Sequence, residues 1–176
     1  MNYSLNEWHV LYVKHLHEKK IDSKVKSIAI KSFLPTYETM VNWSDRKKKL
    51  IKPLFPSYLF VKPKTKKELF KVLDFKGVYR YLKTNERYLT VKESEIQKIK
   101  NFLSIDEVSD ISISNYEPIL GEKATITYGT MYGLECKVLR KSNRSKVMVR
   151  IESLKKNIVA HVPIQFLEPV TQKITH

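Results

Sequence analysis

The 176-residue chain carries 33 Lys and Arg against 18 Asp and Glu, a net charge of +15, which points to an anionic partner, most often nucleic acid. Hydrophobic residues at 42% and aromatics at 11% exclude wholesale disorder and allow one or two small domains. A single cysteine, Cys136, excludes an internal disulfide and a Cys-rich zinc site; the start Met1–Glu7 has no signal-peptide pattern, and no apolar run nears the ~18 residues of a membrane span, so a cytoplasmic protein is expected.

In chain order, Trp8-His9-Val10-Leu11-Tyr12-Val13-Lys14 reads as a strand ending in a polar turn. Ile21, Val25 and Ile28 then recur at helical spacing, with Lys20, Lys24 and Lys31 on a basic outer face. Strand-like runs at Phe33–Val41 and Leu50–Val61 flank the polar segment Asn42–Lys49, expected to be a long hairpin tip. Within the second run, Phe55, Ser57, Leu59 and Val61 would share one face, and Leu54, Pro56, Tyr58 and Phe60 the other. Pro53 and Pro56 donate no ladder hydrogen bond, so this stretch should begin at a bend or an edge.

Thr65-Lys66-Lys67-Glu68 and Thr90-Val91-Lys92-Glu93 match capping boxes, each followed by an apolar helical stripe. A short strand, Val78–Leu82, lies between them after Gly77. Residues 1–104 therefore read as an antiparallel sheet with helices packed on it. They hold 23 of the basic and 10 of the acidic residues, so most of the electrostatic footprint belongs here. Residues 105–117 are acidic, without Lys or Arg, and read as a linker.

Beyond it the period becomes 2: Ala124, Ile126 and Tyr128; Leu134, Cys136 and Val138; Val147, Val149 and Ile151. Residues 118–176 should form a small all-β barrel. Ile151, Leu154, Ile158 and Val162 have nearly helical spacing, but the β-branched alternation around Val147–Ile151 favours strands.

A sheet covered by helices on one face would leave Phe60, Tyr58 and Tyr12 on the other, either as an exposed aromatic patch, the mark of a protein interface, or covered by the loop or the second domain. The hairpin with Trp43, Arg46, Lys47, Lys48 and Lys49 would project beyond the sheet, where basic and aromatic groups meet nucleic acid. There is no Gly-rich phosphate loop among four glycines and no nucleophile elbow, so no enzyme, cofactor or metal is expected; His15-Leu16-His17 reads as a surface turn.

The segments Trp8-His9-Val10-Leu11-Tyr12, Phe33-Leu34-Pro35-Thr36-Tyr37, Pro53-Leu54-Phe55-Pro56-Ser57-Tyr58-Leu59-Phe60-Val61 and Gly77-Val78, followed by Gly121 and Gly129-Thr130-Met131-Tyr132-Gly133, resemble the NusG family of transcription elongation factors over nearly the whole chain. The resemblance implies an α+β fold: a NusG-like N-terminal domain (1–104), the acidic linker (105–117) and an SH3-like KOW β-barrel (118–176). Within the family, Trp43–Lys49 and the PLFPxYLFV pattern look closer to the specialised RfaH-like and UpxY-like antiterminators of long operons than to housekeeping NusG.

It further implies a monomeric, non-enzymatic factor that binds the clamp helices of the RNA polymerase β′ subunit and reaches across the DNA channel to the β subunit, suppressing pausing and termination. Tyr12, Phe55, Pro56, Tyr58 and Phe60 match the polymerase-binding positions. Lys14, Lys24 and Lys76 match basic positions near upstream or non-template DNA. The KOW domain would recruit a ribosomal protein or a termination factor. Three positions depart from the family pattern: Ser57 for a common Gly, Thr130 for Pro, and Cys136 for Gly, the last suggesting a strand interior. A ribosome- or RNA-associated KOW protein and a housekeeping NusG are the alternatives.

Overall fold

The computed structural model describes residues 4–42, 47–85, 87–104, 108–114, 121–129 and 132–170. The chain forms two compact units, Met1–Ile96 and Gln97–His176.

The first unit opens with strand β1 (Trp8–Val13), helix α1 (Glu18–Ser27), β2 (Lys31–Phe33), β3 (Thr36–Asn42), β4 (Lys47–Pro53), β5 (Tyr58–Lys62) and helix α2 (Lys66–Lys71). Then come β6 (Val78–Tyr81), β7 (Lys83–Thr84), β8 (Arg87–Tyr88) and β9 (Thr90–Val91), and helix α3 (Glu93–Leu103) carries the chain past the unit's boundary. β2, β5, β1 and β6 lie side by side in that order in an antiparallel sheet, and β9 extends the start of β1. β3 and β4 pair only with each other among the described residues, as a two-stranded ribbon.

The sheet has one strongly apolar face. Leu11, Val13, Leu59 and Val61 pack there against Ile21 and Val25 of α1 and Leu69 of α2, all buried, which explains the helical spacing of those residues. Thr65 caps α2 as its sequence pattern requires: its hydroxyl accepts from the Glu68 amide at 3.1 Å. The second capping box does not form. Thr90 pairs with His9 in β9, so the helix starts later, at Glu93, and the Glu95 carboxylate accepts from the Lys92 amide at 3.3 Å.

His9 also lies on the inner face, fully buried, edge-on to Tyr81 and Tyr88, with Nε2 2.6 Å from the Ser4 carbonyl and Nδ1 without a partner. Burial lowers its pKa from the usual 6.5, against a smaller opposing effect of the Ser4 carbonyl and Glu7. Below pH 6.5 the unfolded chain therefore takes up a proton that the folded protein resists. The stability His9 contributes is complete above that pH and is lost as the pH falls through the lowered native value. Urea midpoints at pH 7.5 and 5.5 should differ more for the wild type than for His9→Leu; an equal difference in both would rule this out.

The second unit is built on β10 (Ser109–Ser114), β11 (Glu122–Ile126), β12 (Leu134–Arg140), β13 (Arg144–Ile151), β14 (Lys156–Pro163) and β15 (Leu167–Pro169). They form one antiparallel sheet in the order β10-β14-β13-β12-β11-β15. Alternation read the interior correctly: Ala124, Ile126, Leu134, Cys136, Val138, Val147, Val149 and Ile151 are all buried, and Cys136 is in a strand interior. Tyr128 departs from it, staying exposed beyond β11 and stacking on Phe166 at 4.0 Å. No pairing closes the sheet into a barrel among the described residues.

The linker expectation also fails over residues 109–114, which pair with β14 as β10. Ser and Asp at a strand edge hide the weak Ile111, Ile113 alternation. Asp110, in a left-handed conformation (φ 52°) where the register shifts, has its carboxylate 3.2 Å from His161 Nδ1 of β14.

Candidate functional site

The turn that enters β5 is built from Phe55-Pro56-Ser57-Tyr58. The Tyr58 amide donates to the Phe55 carbonyl at 3.1 Å, Pro56 occupies the first central position, and Ser57 has φ +64°, the pattern of a type II turn. That left-handed position favours glycine, the residue common there in the resembled family. Ser57 is held in place from both sides. Its amide donates to buried Glu18 of α1 at 2.8 Å, and its carbonyl accepts from the Val13 amide at 2.8 Å. The turn breaks the alternation expected across Leu54–Val61, so Leu54 and Phe55 are both buried and Pro56 is exposed.

From Tyr58 onward the period is regular, and the second face of the sheet divides into two zones. In one, Val10, Phe60 and Phe33 lie side by side across β1, β5 and β2. Phe60 and Val10 are 0% exposed and Phe55 2%, and the Phe60 ring lies 5.9 Å from Phe55 and 6.1 Å from Phe33. Phe60, expected in the exposed patch, and Phe55, a polymerase-binding position by the resemblance, are both interior, because flanking rings fill the space above the strand.

In the other zone, Tyr58, Tyr12 and Arg80 are direct neighbours across β5, β1 and β6. Tyr12 is 36% exposed, its ring 6.3 Å from Tyr58 and 5.4 Å from Tyr79, with the Arg80 guanidinium 5.8 Å from its centre. Tyr79 is 59% exposed. The β1–β6 register skips it, pairing Tyr12 with Arg80 and Val13 with Val78, so Tyr79 is a bulge residue turned outward. Three tyrosines and an arginine thus make an open aromatic surface, bordered by Pro56. Of these, Tyr79 and Arg80 carry no sequence signal beyond following Gly77-Val78.

The basic residues fall into two groups. Lys14, Lys24 and Lys76 are exposed and border one turn: the Lys14 amide donates to the Gly77 carbonyl at 2.7 Å, and the Lys24 ammonium lies 5.9 Å from the Phe75 ring. Gly77, at φ +99° with Ile21 3.4 Å from where a Cβ would stand, keeps that turn compact. The second group lies on the ribbon. Lys47, Lys48 and Lys49 belong to β4 and not to a loop, with Lys48 and Lys49 exposed and Lys49 ion-paired to Glu38 across the strands. Arg46 and Trp43 lie outside the described residues.

Burial pushes the Cys136 thiol up to about 12, so it remains protonated and a poor nucleophile near neutral pH. Among the described residues no three His, Cys, Asp or Glu side chains converge on a metal position, and no helix is long and apolar enough to cross a membrane.

The family model described as "Transcription termination factor nusG" matches residues 6–100, just over half the chain. No curated protein matches the sequence. Among solved structures, one reporting domain interaction in Thermotoga maritima NusG superposes with a TM-score of 0.59 at 18% identity, over 93% of this chain and 97% of that one; it supports the fold. The MjSpt4:Spt5 complex in conformation B gives a TM-score of 0.33 at 17% identity, over 94% of this chain and 97% of that one, too loose a likeness for argument.

Proposed function

The chain belongs to the NusG family of transcription factors, and from that premise we propose that it binds RNA polymerase through the open tyrosine surface of its first unit. The observation that carries this reading is the row Tyr58–Tyr12–Arg80, in which Tyr12 and Arg80 are exposed and Tyr58 is half-buried, with exposed Tyr79 beside it. Exposed tyrosines and arginine are the residue types that dominate binding energy at interfaces. The partner surface is the pair of clamp helices of the β′ subunit, with the domain reaching toward the β subunit across the DNA channel. Tyr12, Tyr58 and Pro56 make contact. Phe55 and Phe60, from beneath, fix the turn and strand that present them.

Lys14, Lys24 and Lys76, and separately Arg46 to Lys49, would lie along upstream or non-template DNA. Held this way, the factor keeps the clamp closed and suppresses pausing and termination on particular long operons, as a specialised RfaH- or UpxY-like member. The basic β3–β4 ribbon, rather than the sheet, supports the specialised assignment. The strands of the second unit would supply the KOW-type module that recruits a ribosomal protein or a termination factor.

The protein should bind purified polymerase core, and a clamp-helix peptide should compete. Binding to free ribosomal RNA without binding to core would refute the proposal in favour of an RNA-associated role. Reversing the charges of Lys47, Lys48 and Lys49 should weaken DNA-dependent activity and lower the slope of log affinity against log salt by about one for each phosphate no longer neutralised. An unchanged slope would make the ribbon a solvated surface.

A further inference from the structure

Glu18 is the first residue of α1 and only 2% exposed, a carboxylate taken almost wholly out of water. Burying such a group is unfavourable unless it is hydrogen-bonded, so what it bonds to is informative. Its Oε1 accepts from the Ser57 amide at 2.8 Å, which joins α1 to the turn entering β5, 39 residues later. Exposed His15 holds Nδ1 3.7 Å from the same oxygen, beyond hydrogen-bond range. The first turn of a helix favours an acidic side chain, and a carboxylate accepts more strongly than a neutral oxygen.

We propose that Glu18 is the positioning residue of the tyrosine surface: it selects the type II form of the Phe55–Tyr58 turn and so fixes Pro56 and Tyr58 where a partner meets them. The inference rests on the reading of that surface as the polymerase-binding one. Types I and II differ by a flip of the central peptide, here Pro56–Ser57, whose N–H is the group that Glu18 holds. A serine in the left-handed conformation, φ +64°, is strained where glycine is not, so without the carboxylate the type I form is favoured. The Ser57 carbonyl accepts from the Val13 amide, which ties the same residue to the end of β1. Tyr58, next along, is thereby set opposite Tyr12. Glu18 itself is buried and reaches no partner; it acts through the turn.

The test measures, for the full chain, affinity for polymerase core and hydrogen exchange of the Ser57 amide in the free protein. Glu18→Ala should weaken binding about tenfold and speed that exchange about tenfold. Glu18→Gln keeps an acceptor without the charge and should lie between it and the wild type. Adding Ser57→Gly to either should restore affinity to within about threefold of wild type, since glycine holds a type II turn unaided. The glutamine pair carries the comparison if the alanine variant does not fold. Val25→Ala, in the buried face of the same helix, should lower stability yet leave affinity within about twofold of wild type. Equal losses of affinity in Val25→Ala and Glu18→Ala, no rescue by glycine, or wild-type affinity in both Glu18 variants beside a loss in Tyr12→Ala would overturn the positioning role alone. Wild-type affinity in Tyr12→Ala too would overturn the polymerase surface with it.

Discussion

Phe60→Ala is expected to lower the unfolding free energy by about 3–5 kcal/mol, the range for removing a large aromatic from a packed interior. Phe60 is fully buried, it pairs with Val10 and Phe33 across two strands, and Phe55 meets it edge-on. Its neighbours are two rings and a β-branched side chain held by the turn and the strands beside it, so a cavity remains. Urea denaturation gives the number. A loss below about 1 kcal/mol would mean that the ring is not part of the interior. Any weakening of polymerase binding in this variant would be secondary to loosening β5, and should shrink with a stabilising cosolvent such as sucrose.

Tyr12→Ala should do the reverse: little change in stability, but weaker polymerase binding by about 1–3 kcal/mol, roughly five- to 150-fold in affinity. Tyr12 is at the centre of the open row, between Tyr58 and Arg80, and touches Tyr79. Truncating it removes the ring over which the guanidinium lies as well as its own contact area. Equilibrium binding of labelled protein to polymerase core measures the effect. Unchanged affinity would remove the interface from this end of the sheet.

The contrast between those two residues marks the limit of what alternation reveals. Parity along β1 and β5 placed Tyr12, Tyr58 and Phe60 on one face, and the strand register agrees. Parity says nothing about what covers that face, and Phe60 is sealed by Phe55 and Phe33, one brought in by a turn and the other by a separate short strand. The turn was partly legible: two prolines announced the break at Pro53 to Pro56, but the left-handed Ser57 was visible only as a family departure. Tyr79 was illegible because a bulge is a property of two strands together, and only one of them carries the extra residue.

Local signals also lost to pairing elsewhere. Thr90 had the makings of a cap, yet a partner in β1 was available to its backbone and the helix began three residues later. Ser109–Ser114 looked like linker because an edge strand needs few apolar residues, and its place was decided by β14. The longer strands of the second unit were readable because each buries one face, so their period-2 pattern is complete.

Hydroxyl-radical footprinting of the free protein and of its complex with polymerase core tests the central claim most directly. Oxidation at Tyr12, Tyr58 and Tyr79 should be clear in the free protein and strongly suppressed in the complex, with Phe60 unreactive in both. Equal oxidation of the three tyrosines in the two states would contradict the assignment of this surface to polymerase.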